Sequence, residues 1–297
     1  MKRPTKAIIA AAGFGTRFLP QTKAMPKEMM PIIDKPIIQI VVEELVAAGI
    51  KDIIIVGSSN KRAIEDHFDE ANEDLLANLR AGGEKKAPLI DMLGELSTLA
   101  NFVYIRQKGP YGNATPVLCA AHLMTADEPF IYTWADDFFV ATPSRTEQLI
   151  DTALTHDGSV YAGKVVESDN EYNKYGIIAG DTIADATMKV TKIVEKPGKD
   201  AAPSALASVS SYLLDASILP YVEKAAEAYD GNGEFTIQPI MQQMIDDGHA
   251  FYAREITDGT YYDTGDKLEY LKTVIDFGLR HEELGPELRD YIEKRLR

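Results

Sequence analysis

The stretch that decides the fold is KAIIAAAGFGTR, which spans residues 6–17. Its apolar run over residues 7–11 lacks polar alternation, which is typical of a strand buried on both faces. Gly13 and Gly15 follow directly. Glycines at such a junction let the chain turn tightly and bring backbone N–H groups close to an anion. The stretch therefore predicts the first strand of an α/β sheet and, after it, a phosphate-binding loop.

The residues after this loop continue the alternation of strands and helices. Apolar side chains spaced along one helix face between Ile37 and Ala48 predict a helix, and the run 53–56 predicts a second buried strand. Strand, helix and strand in this order imply a parallel pair joined by a right-handed crossover. Further strands are predicted over 102–105, 130–133, 159–165 and 189–194, and an insertion with helical and loop character is predicted over 82–100. A helix is predicted over 115–124, with Thr115 as its cap. A late helix is predicted to begin with a capping box formed by Asp266 and Glu269. We therefore expect an open α/β sheet with helices on both faces.

The charge balance narrows the range of functions. The 297 residues include 31 Lys and Arg against 46 Asp and Glu, a formal net charge of −15. Such an excess repels nucleic-acid phosphates and anionic membrane surfaces, so we expect neither partner. The single cysteine, Cys119, cannot form an internal disulfide. No apolar run approaches the length of a membrane span and no secretion signal opens the chain, so we expect a cytoplasmic globular protein.

Positive charge is concentrated around the glycine loop. Residues 1–35 carry seven basic and two acidic side chains, and Arg17, Lys23 and Lys27 follow the loop itself. Backbone donors together with cationic side chains favour phosphate binding. The dinucleotide-binding fingerprint needs a third glycine where Phe18 stands, and the P-loop needs a terminal Gly-Lys-Ser/Thr. An NAD-dependent oxidoreductase or a P-loop protein is therefore a poor fit.

Acidic residues end two of the apolar segments. Asp136 and Asp137 come after the strand predicted at 130–133, and Asp263 ends another short strand. Ligands of open α/β sheets bind outside the carboxyl ends of the strands, and one or two carboxylates with substrate phosphates suit Mg²⁺. Either aspartate alone is more often the cap of a turn or helix. The glycine loop is the feature that favours a metal site.

Glu195 and Lys196 form a third candidate group. They follow the strand predicted at 189–194 and precede Pro197. Adjacent opposite charges at a strand end are commonly an exposed pair that stabilises little. The functional interpretation assigns Glu195 to sugar hydroxyls and Lys196 to a phosphate. Because side chains alternate along a strand, this interpretation requires a bend or bulge at Pro197.

These segments together resemble the bacterial UTP–glucose-1-phosphate uridylyltransferases, or UDP-glucose pyrophosphorylases, of the sugar nucleotidyltransferase superfamily. The main match is AAGFGTRFLPQTKAMPKEMMPIIDKPIIQ, residues 11–39. Shorter matches follow in family order: RQK at 106–108, VLCAAH at 117–122, DD at 136–137, YG at 175–176, VEKP at 194–197 and DTGDKLEY at 263–270. The related thymidylyltransferases share the GTR, YG, EKP and DTG elements, whereas PKEM and the extended C-terminal region look more like the uridylyl branch.

The resemblance implies a Rossmann-like α/β fold with an open, mixed but mainly parallel sheet and helices on both faces. It implies one nucleotidyltransferase domain, divided into a nucleotide-binding part at 1–140, a sugar-binding part at 141–265 and C-terminal helices at 266–297 that could contact another subunit. The implied reaction is Mg²⁺-dependent transfer of UMP from UTP to glucose 1-phosphate, which gives UDP-glucose and pyrophosphate. The implied assembly is a homodimer or homotetramer.

The resemblance also implies three groups of site residues, matched position by position. The residues that match nucleotide contacts are Ala12, Gly13, Gly15, Gln107 and Gly112. Arg17 and Lys27 match the triphosphate clamp, and Asp136 and Asp263 match the Mg²⁺ ligands. Asp137 matches a residue that supports the metal ligands without binding the metal itself. Those that match the sugar and sugar-phosphate contacts are Gly176, Glu195 and Lys196. The catalytic candidates among all of these are Arg17, Lys27 and Lys196.

Two segments depart from the family pattern. Residues 112–116 read GNATP where the family commonly has GLGHA, a change that bears on base selection because uracil and thymine differ by one methyl group. Trp134-Ala135 replaces Leu-Pro or Leu-Gly, and the tryptophan either packs on the sheet or narrows the site. The alternative enzyme is therefore a thymidylyltransferase or another sugar nucleotidyltransferase. A non-catalytic homologue is disfavoured because the matched metal ligands and cations are all present.

Overall fold

A nine-stranded mixed sheet forms the centre of the protein, in a computed structural model that describes residues 1–296. The strands of the chain are β1 (Lys6–Ala11), β2 (Pro31–Ile32), β3 (Lys35–Pro36), β4 (Asp52–Gly57), β5 (Asn101–Arg106), β6 (Phe130–Trp134), β7 (Asp137–Ala141), β8 (Ser159–Val165), β9 (Gly176–Ala184), β10 (Thr187–Glu195), β11 (Leu206–Leu214), β12 (Phe251–Glu255) and β13 (Gly259–Asp263). The order in the large sheet is β5-β4-β1-β6-β11-β8-β12-β10-β9. Two further pairs, β13 with β7 and β2 with β3, form small sheets.

Helices connect and cover these strands. They are α1 (Ile37–Ala47), α2 (Arg62–Phe68), α3 (Glu73–Ala81), α4 (Ala87–Ser97), α5 (Thr115–Ala120), α6 (Arg145–His156), α7 (Ile218–Glu227), α8 (Ile237–Asp246), α9 (Lys267–Arg280) and α10 (Gly285–Arg295). The predicted insertion at 82–100 contains α4 and a 3₁₀ turn over Glu84–Lys86. Arg297, which ends the predicted C-terminal part 266–297, lies outside the described residues. None of the helices described is long and apolar enough to cross a bilayer.

Parallel strands are concentrated in the N-terminal half of the sheet. β4 and β6 both run parallel to β1, and β5 runs parallel to β4. β11 then pairs antiparallel with β6 and β8, and β10 pairs antiparallel with β9 and β12, while β8 and β12 are parallel to each other. The strands predicted after β1 lie within β4, β5, β6, β8 and β10. The predicted α/β class with a mixed sheet is confirmed. The sheet is not mainly parallel, because four of its nine strand pairings are parallel and five are antiparallel.

Helices lie on both faces of the sheet because alternate side chains of β1 enter two separate clusters. Ile9 packs on one face in a cluster that includes Leu45 of α1. Ile8 packs on the other face, where α5 contributes Val117 and α8 contributes Met241. All five side chains are fully buried. A strand that is apolar at consecutive positions needs cover on both sides, and the two clusters provide it.

The helix predicted over 115–124 begins differently from the prediction. It is α5, continued by a 3₁₀ turn over Ala121–Leu123, and Thr115 is its first residue instead of its cap. The Thr115 hydroxyl donates to the Pro110 carbonyl at 2.6 Å, so it stabilises the preceding loop and not the helix N-terminus. The prediction that Thr115 caps this helix is wrong.

Of the capping box predicted at the N-terminus of α9, the structure contains the Asp266 cap but not the reciprocal bond from Glu269. The Asp266 carboxylate caps the helix by accepting from the N–H groups of Leu268 and Glu269. A complete capping box would also have the Glu269 side chain accept from the Asp266 N–H. Glu269 instead accepts from Lys272 at 2.8 Å. The cap is confirmed, and the reciprocal bond is replaced by an ion pair on the helix surface.

One carboxylate holds the end of β1 that is opposite to the glycine loop. Glu128, which precedes β6, accepts from Lys6 Nζ at 2.5 Å, from the Thr125 hydroxyl at 2.9 Å and from the Thr5 hydroxyl. Although burial disfavours the charged form, these donors lower the pKa of Glu128 from 4.5 to about 2. A group whose pKa is lower in the folded chain stabilises the fold above its ordinary pKa and loses that effect as the pH falls.

Glu128→Gln is expected to lower the free energy of unfolding by about 1–3 kcal/mol near neutral pH, because hydrogen bonds to a charged carboxylate are lost. The difference from the unsubstituted protein should be complete above pH 4.5 and should shrink as the pH falls toward 2. Urea unfolding of both proteins at several pH values measures this difference. A difference that stays constant down to about pH 3 would contradict the assignment.

Candidate active site

The parallel strands bring three predicted site segments to one edge of the sheet. β1, β5 and β6 run in the same direction, so the segments that follow them leave at their common carboxyl edge. The glycine loop follows β1, Gln107 follows β5 and Asp136 comes just after β6. Strand order and direction therefore place the three segments along one edge of the sheet, with β4 between β5 and β1.

The glycine loop is compact and depends on glycine at position 15. Gly15 has a φ of +63°, and a Cβ there would lie 3.0–3.2 Å from side-chain atoms of Thr22 and Lys27. The Gly15 carbonyl accepts from the Thr22 hydroxyl at 2.7 Å. Ala12 is half-buried and Gly13 is exposed, so the outer rim of the loop borders solvent. The loop has a fixed shape and a rim that a ligand can approach.

Two predicted metal ligands and one predicted phosphate contact meet around Gly265. A Cβ on this glycine would lie 3.1 Å from Asp136 Oδ2, 3.1 Å from Asp263 Oδ1 and 3.6 Å from Arg17 Nη1. Arg17 also donates to the Gly265 carbonyl at 3.1 Å. The structure therefore brings Asp136, Asp263 and Arg17, which are far apart in the sequence, into one cluster.

Thr264 joins the two aspartates of this cluster. Its N–H and its hydroxyl both donate to the Asp136 carbonyl, at 3.1 and 2.5 Å. β13 pairs with β7 so that Asp263 lies opposite Asp137, and Asp263 Oδ1 accepts from the Gly265 N–H at 3.0 Å. The end of β13 is thereby attached to Asp136, the second residue after the end of β6. The N–H of the nearby Gly265 orients the Asp263 carboxylate.

Lys27 forms an ion pair with Asp136, and both side chains are largely buried. Burial alone would favour the neutral amine, but the carboxylates of Asp136 and Glu28 raise the pKa of Lys27. Lys27 therefore keeps its positive charge at neutral pH. That charge lies within reach of any anion that binds beside Asp136.

Burial also affects the other carboxyl groups of the cluster. It raises the pKa of Asp263, and together with the charge of Asp136 it raises the pKa of Asp137 to about 8. Asp137 Oδ2 accepts from the Tyr261 hydroxyl at 3.1 Å, whereas its buried Oδ1 has no hydrogen-bond partner among residues 1–296. Burial and the neighbouring charge of Asp136 therefore both disfavour a third negative charge at Asp137.

The donors of this cluster fit Mg²⁺. Asp136 and Asp263 offer carboxylate oxygens to the same small region beside Gly265, and hard oxygen ligands are those that Mg²⁺ prefers. Over the described part of the chain, no group of three or more His, Cys, Asp or Glu side chains could hold a metal ion. Mg²⁺ commonly takes only one or two protein carboxylates and completes its shell with water and substrate phosphates. Two aspartates are therefore sufficient.

Gln107 and Gly112 lie in the segment that follows β5. The Gln107 N–H donates to the Gly57 carbonyl at 2.8 Å, which continues the pairing of β5 with β4. Gly112 has a φ of +147°, and a Cβ there would stand 2.1 Å from the Phe235 carbonyl oxygen. Only glycine fits this position without a backbone shift. The nucleotide contacts predicted for Gln107 and Gly112 stay predictions.

The unusual 112–116 segment is attached to a distant helix through Asn113. Asn113 Oδ1 accepts from the Ile237 N–H at 2.8 Å, at the first residue of α8, and its amide group lies 3.3 Å from Gln238 Oε1. The Asn113 carbonyl accepts from the hydroxyl of the buried Tyr132. Asn113 therefore caps α8 from outside the helix and holds the segment against β6.

The second departure from the family pattern, Trp134, packs on the sheet. Its ring centroid lies 5.2 Å from that of Tyr132 and 5.4 Å from that of Tyr212. Trp134 is partly buried and packs against the apolar cluster that contains Ile8. The first of the two interpretations of this tryptophan is therefore confirmed.

Glu195 and Lys196 come together at a bend, as the functional interpretation of this pair requires. Lys196, with a φ of +45°, makes the bend just before Pro197, and its N–H donates to the Tyr175 carbonyl at 3.2 Å. Lys196 Nζ lies 3.4 Å from Glu195 Oε1, and both side chains are more than half exposed. Gly176 pairs with Glu195 across the sheet, and a Cβ on Gly176 would lie 3.1 Å from Glu195 Oε2. A single ligand can therefore contact both charges.

A cavity of about 650 Å³ lies between the segment that follows β8 and the elements β13 and α9. Asp263 lines it, together with Tyr175 and Tyr261, whose rings are 6.5 Å apart. Tyr175 also accepts the hydrogen bond from Lys196. Tyr175 thus connects the pair of Glu195 and Lys196 with the strand that carries Asp263.

The chain belongs to the nucleotidyl transferase family, whose sequence model matches residues 6–276. A curated relative, the UTP–glucose-1-phosphate uridylyltransferase of Bacillus subtilis (strain 168), is 41% identical over 294 residues, which cover 99% of this chain and 97% of the relative. A solved UDP-glucose pyrophosphorylase complexed with UDP-glucose superposes with a TM-score of 0.81 at 30% identity, over 94% of this chain and 100% of that one. A UTP-bound UGPase from Acinetobacter baumannii superposes with a TM-score of 0.84 at 31% identity, over 97% and 98% of the two chains. The resemblance inferred from the motifs is confirmed.

Four residues of this region escape prediction from the sequence: Thr264, Asn113, Lys61 and Glu28. Thr264 stands inside the DTG motif and Asn113 inside the segment that departs from the family, so both positions carry a usable signal. Lys61 and Glu28 form a buried ion pair beside the glycine loop. Ion pairs between distant segments leave no periodic pattern, and nothing in the spacing of these two residues indicates that they meet.

Asn113→Ala is expected to lower the free energy of unfolding by about 0.5–2 kcal/mol, because the first N–H of α8 loses its acceptor. Asn113→Asp keeps an oxygen at the same place and is the matched control, expected to lose clearly less. Urea unfolding of the three proteins measures the difference. An alanine variant as stable as the unsubstituted protein would show that α8 does not depend on this contact.

Proposed function

We propose that this protein transfers UMP from UTP to glucose 1-phosphate and releases UDP-glucose and pyrophosphate, with Mg²⁺ as its cofactor. The observation that carries the proposal is the cluster of Asp136, Asp263 and Arg17 around Gly265, in a chain whose relatives are uridylyltransferases. Nucleotidyl transfer needs cations that compensate phosphate charge and a rigid alignment of the reacting groups. A carboxylate pair beside fixed cations at one sheet edge meets both needs.

We assign the nucleoside to the loops that follow β1 and β5. The residues in these loops are Ala12, Gly13, Gly15, Gln107 and Gly112. Their support is twofold: three are glycines, which permit close approach of a ligand to the backbone, and both loops leave the sheet at its carboxyl edge. A base and a ribose can therefore lie across the edge with the phosphates toward Asp136.

We assign the triphosphate to Arg17 and Lys27. Arg17 is held beside the aspartate cluster by its bond to the Gly265 carbonyl, and Lys27 by its ion pair with Asp136. Mg²⁺ held by Asp136 and Asp263 would compensate phosphate charge and polarise the α-phosphate. Lys27 then exchanges its carboxylate partner for a phosphate oxygen, and both cations stabilise the charge that develops on the leaving pyrophosphate.

We assign glucose to Gly176 and Glu195 and the sugar phosphate to Lys196. The 3.4 Å separation of the Lys196 and Glu195 charges supports this, because one molecule with hydroxyls and a phosphate can span it. The phosphate of the sugar is ionised near neutral pH, so no general base is needed. Its oxygen forms a bond to the α-phosphorus while the bond from that phosphorus to pyrophosphate breaks in line.

The alternative is transfer of dTMP, or transfer to another sugar 1-phosphate. The observation that favours it is the altered segment 112–116, which begins at the predicted base contact Gly112. A pocket discriminates one methyl group by only about 1–3 kcal/mol. Small changes in this segment therefore suffice to change the preferred base.

We propose further that residues 1–140 serve the nucleotide and residues 141–265 serve the sugar, in agreement with the positions of the residues assigned to each. The C-terminal helices are proposed to contact a second subunit in a homodimer or homotetramer. Their support is the exposed apolar side chains of Leu268, Leu271 and Ile275 on α9. The cytoplasmic location and the absence of nucleic-acid and membrane partners stay predictions.

Pyrophosphate release over a matrix of UTP and dTTP against glucose 1-phosphate and galactose 1-phosphate, with Mg²⁺, tests the proposed function. UTP with glucose 1-phosphate should react fastest, and either chelation of the metal or Asp136→Asn should abolish the reaction. Asp127→Asn is the matched control, since this exposed carboxylate pairs with Lys2 instead. Faster reaction with dTTP or with galactose 1-phosphate would establish the alternative, and no release with any of the four pairs would refute UMP transfer to glucose 1-phosphate.

Lys196→Ala is expected to raise the KM for glucose 1-phosphate by about ten- to a hundredfold, the range of one charge-assisted hydrogen bond. The KM for UTP should change by less than about threefold. The control is Lys199→Ala, because this nearby exposed lysine pairs with Asp169 at 2.9 Å and should leave both constants unchanged. Unaltered kinetics with glucose 1-phosphate in Lys196→Ala would refute the role.

A further inference from the structure

A buried ion pair lies beneath the glycine loop. Lys61, the residue before α2, places Nζ 2.8 and 3.0 Å from the two carboxylate oxygens of Glu28. Lys61 is 3% exposed and Glu28 is 0% exposed. Burying two charges costs desolvation of both, and their attraction often does no more than offset that cost. Stability alone is therefore a weak reason for this pair.

Lys61 has a third partner in the loop itself. Its Nζ donates to the Gly13 carbonyl at 2.6 Å, so the three donors of the ammonium meet Glu28 and Gly13. The peptide group that joins Gly13 to Phe14 is trans and planar. With its carbonyl directed inward to Lys61, the Phe14 N–H must point the opposite way. Phe14 itself is exposed, so the loop borders solvent at this residue.

Through Glu28, the ion pair is also linked to Lys27 of the predicted phosphate clamp. Glu28 shares one 3₁₀ turn, Lys27–Met29, with Lys27. Burial raises the pKa of Glu28 and lowers the pKa of Lys61, so each charge depends on the other. Gly57 leaves room for the lysine, since a Cβ there would lie 3.2 Å from Lys61 Cβ. The pair thus supports both the loop rim and the turn that carries Lys27.

We infer that Lys61 is a positioning residue for UTP: it holds the Gly13 carbonyl inward so that the Phe14 N–H faces the nucleotide, and Glu28 holds Lys61 in place. The inference rests on the proposed function and deepens it. Lys61 touches no substrate. Its effect is on the affinity for UTP and not on the affinity for the sugar phosphate, because the residues assigned to the sugar and its phosphate lie on β9, on β10 and directly after β10.

Lys61→Met removes the ammonium and keeps most of the side-chain volume. The Kd for UTP, measured by calorimetry with Mg²⁺, should rise about ten- to a hundredfold, the range of one charge-assisted hydrogen bond. The KM for glucose 1-phosphate should change by less than about threefold. A Kd for UTP equal to that of the unsubstituted protein would overturn the inference.

The double variant Lys61→Met with Glu28→Gln separates positioning from stability. It leaves a neutral buried site, and neutral replacements of similar volume are often as stable as the ion pair. Its melting temperature should return close to that of the unsubstituted protein, while its Kd for UTP stays raised about tenfold. Recovery of UTP binding together with stability would overturn the inference. Should Lys61→Met fail to fold, the double variant supplies the measurement.

Glu128→Gln is the matched control, because it removes a carboxylate with three partners at the opposite end of β1. It should lower the melting temperature and leave the Kd for UTP unchanged. An equal loss of UTP binding in this control would assign the effect of Lys61→Met to stability and overturn the inference. The unsubstituted protein is assayed first: no turnover of UTP refutes the proposed function, whereas turnover with an unaffected Lys61→Met refutes only the role of Lys61.

Discussion

The two hydrogen bonds from Thr264 to the Asp136 carbonyl are the contact on which the site depends. They join the end of β13 to the residue that follows β6, although β13 is not part of the large sheet. Together with the pairing of β13 with β7, this connection brings Asp263 to the cluster, and it also brings Gly265, whose carbonyl holds Arg17. Hydrogen bonds to a backbone carbonyl hold the two aspartates near each other without requiring any attraction between their carboxylates.

The repulsion between the neighbouring carboxylates of the site is reduced by two cations and by the raised pKa of a third carboxyl group. Lys27 pairs with Asp136, Arg17 lies beside both aspartates, and burial together with the charge of Asp136 raises the pKa of Asp137, which disfavours a third negative charge. The chain as a whole carries a formal charge of −15, and Arg17 and Lys27 are cations that face the aspartates at this edge. Two anionic substrates need such cations in order to meet here.

The parts of the fold that follow a local period could be predicted well. The buried strand at 53–56 and the helix from Ile37 are recognisable from spacing alone, and they are present as β4 and α1. The aspartates and cations of the site could be proposed because their motifs keep the family's order. The cap predicted for Thr115 failed, because a hydroxyl has several acceptors in reach and the nearby Pro110 carbonyl competes with the helix N-terminus.

The sequence by itself determined the α/β class and the first parallel strand pair, because strands and helices alternate along the chain and such crossovers are right-handed. It also determined the tight turn at Gly15, which depends on neighbours within a few residues. Only the tertiary structure decided that Lys61 reaches Gly13, that Asn113 caps α8 and that Thr264 binds the Asp136 carbonyl. These contacts join segments far apart along the chain. The order of strands in the sheet and the packing of the loops between them decide which segments become neighbours. Neither leaves a periodic pattern of apolar residues in the sequence.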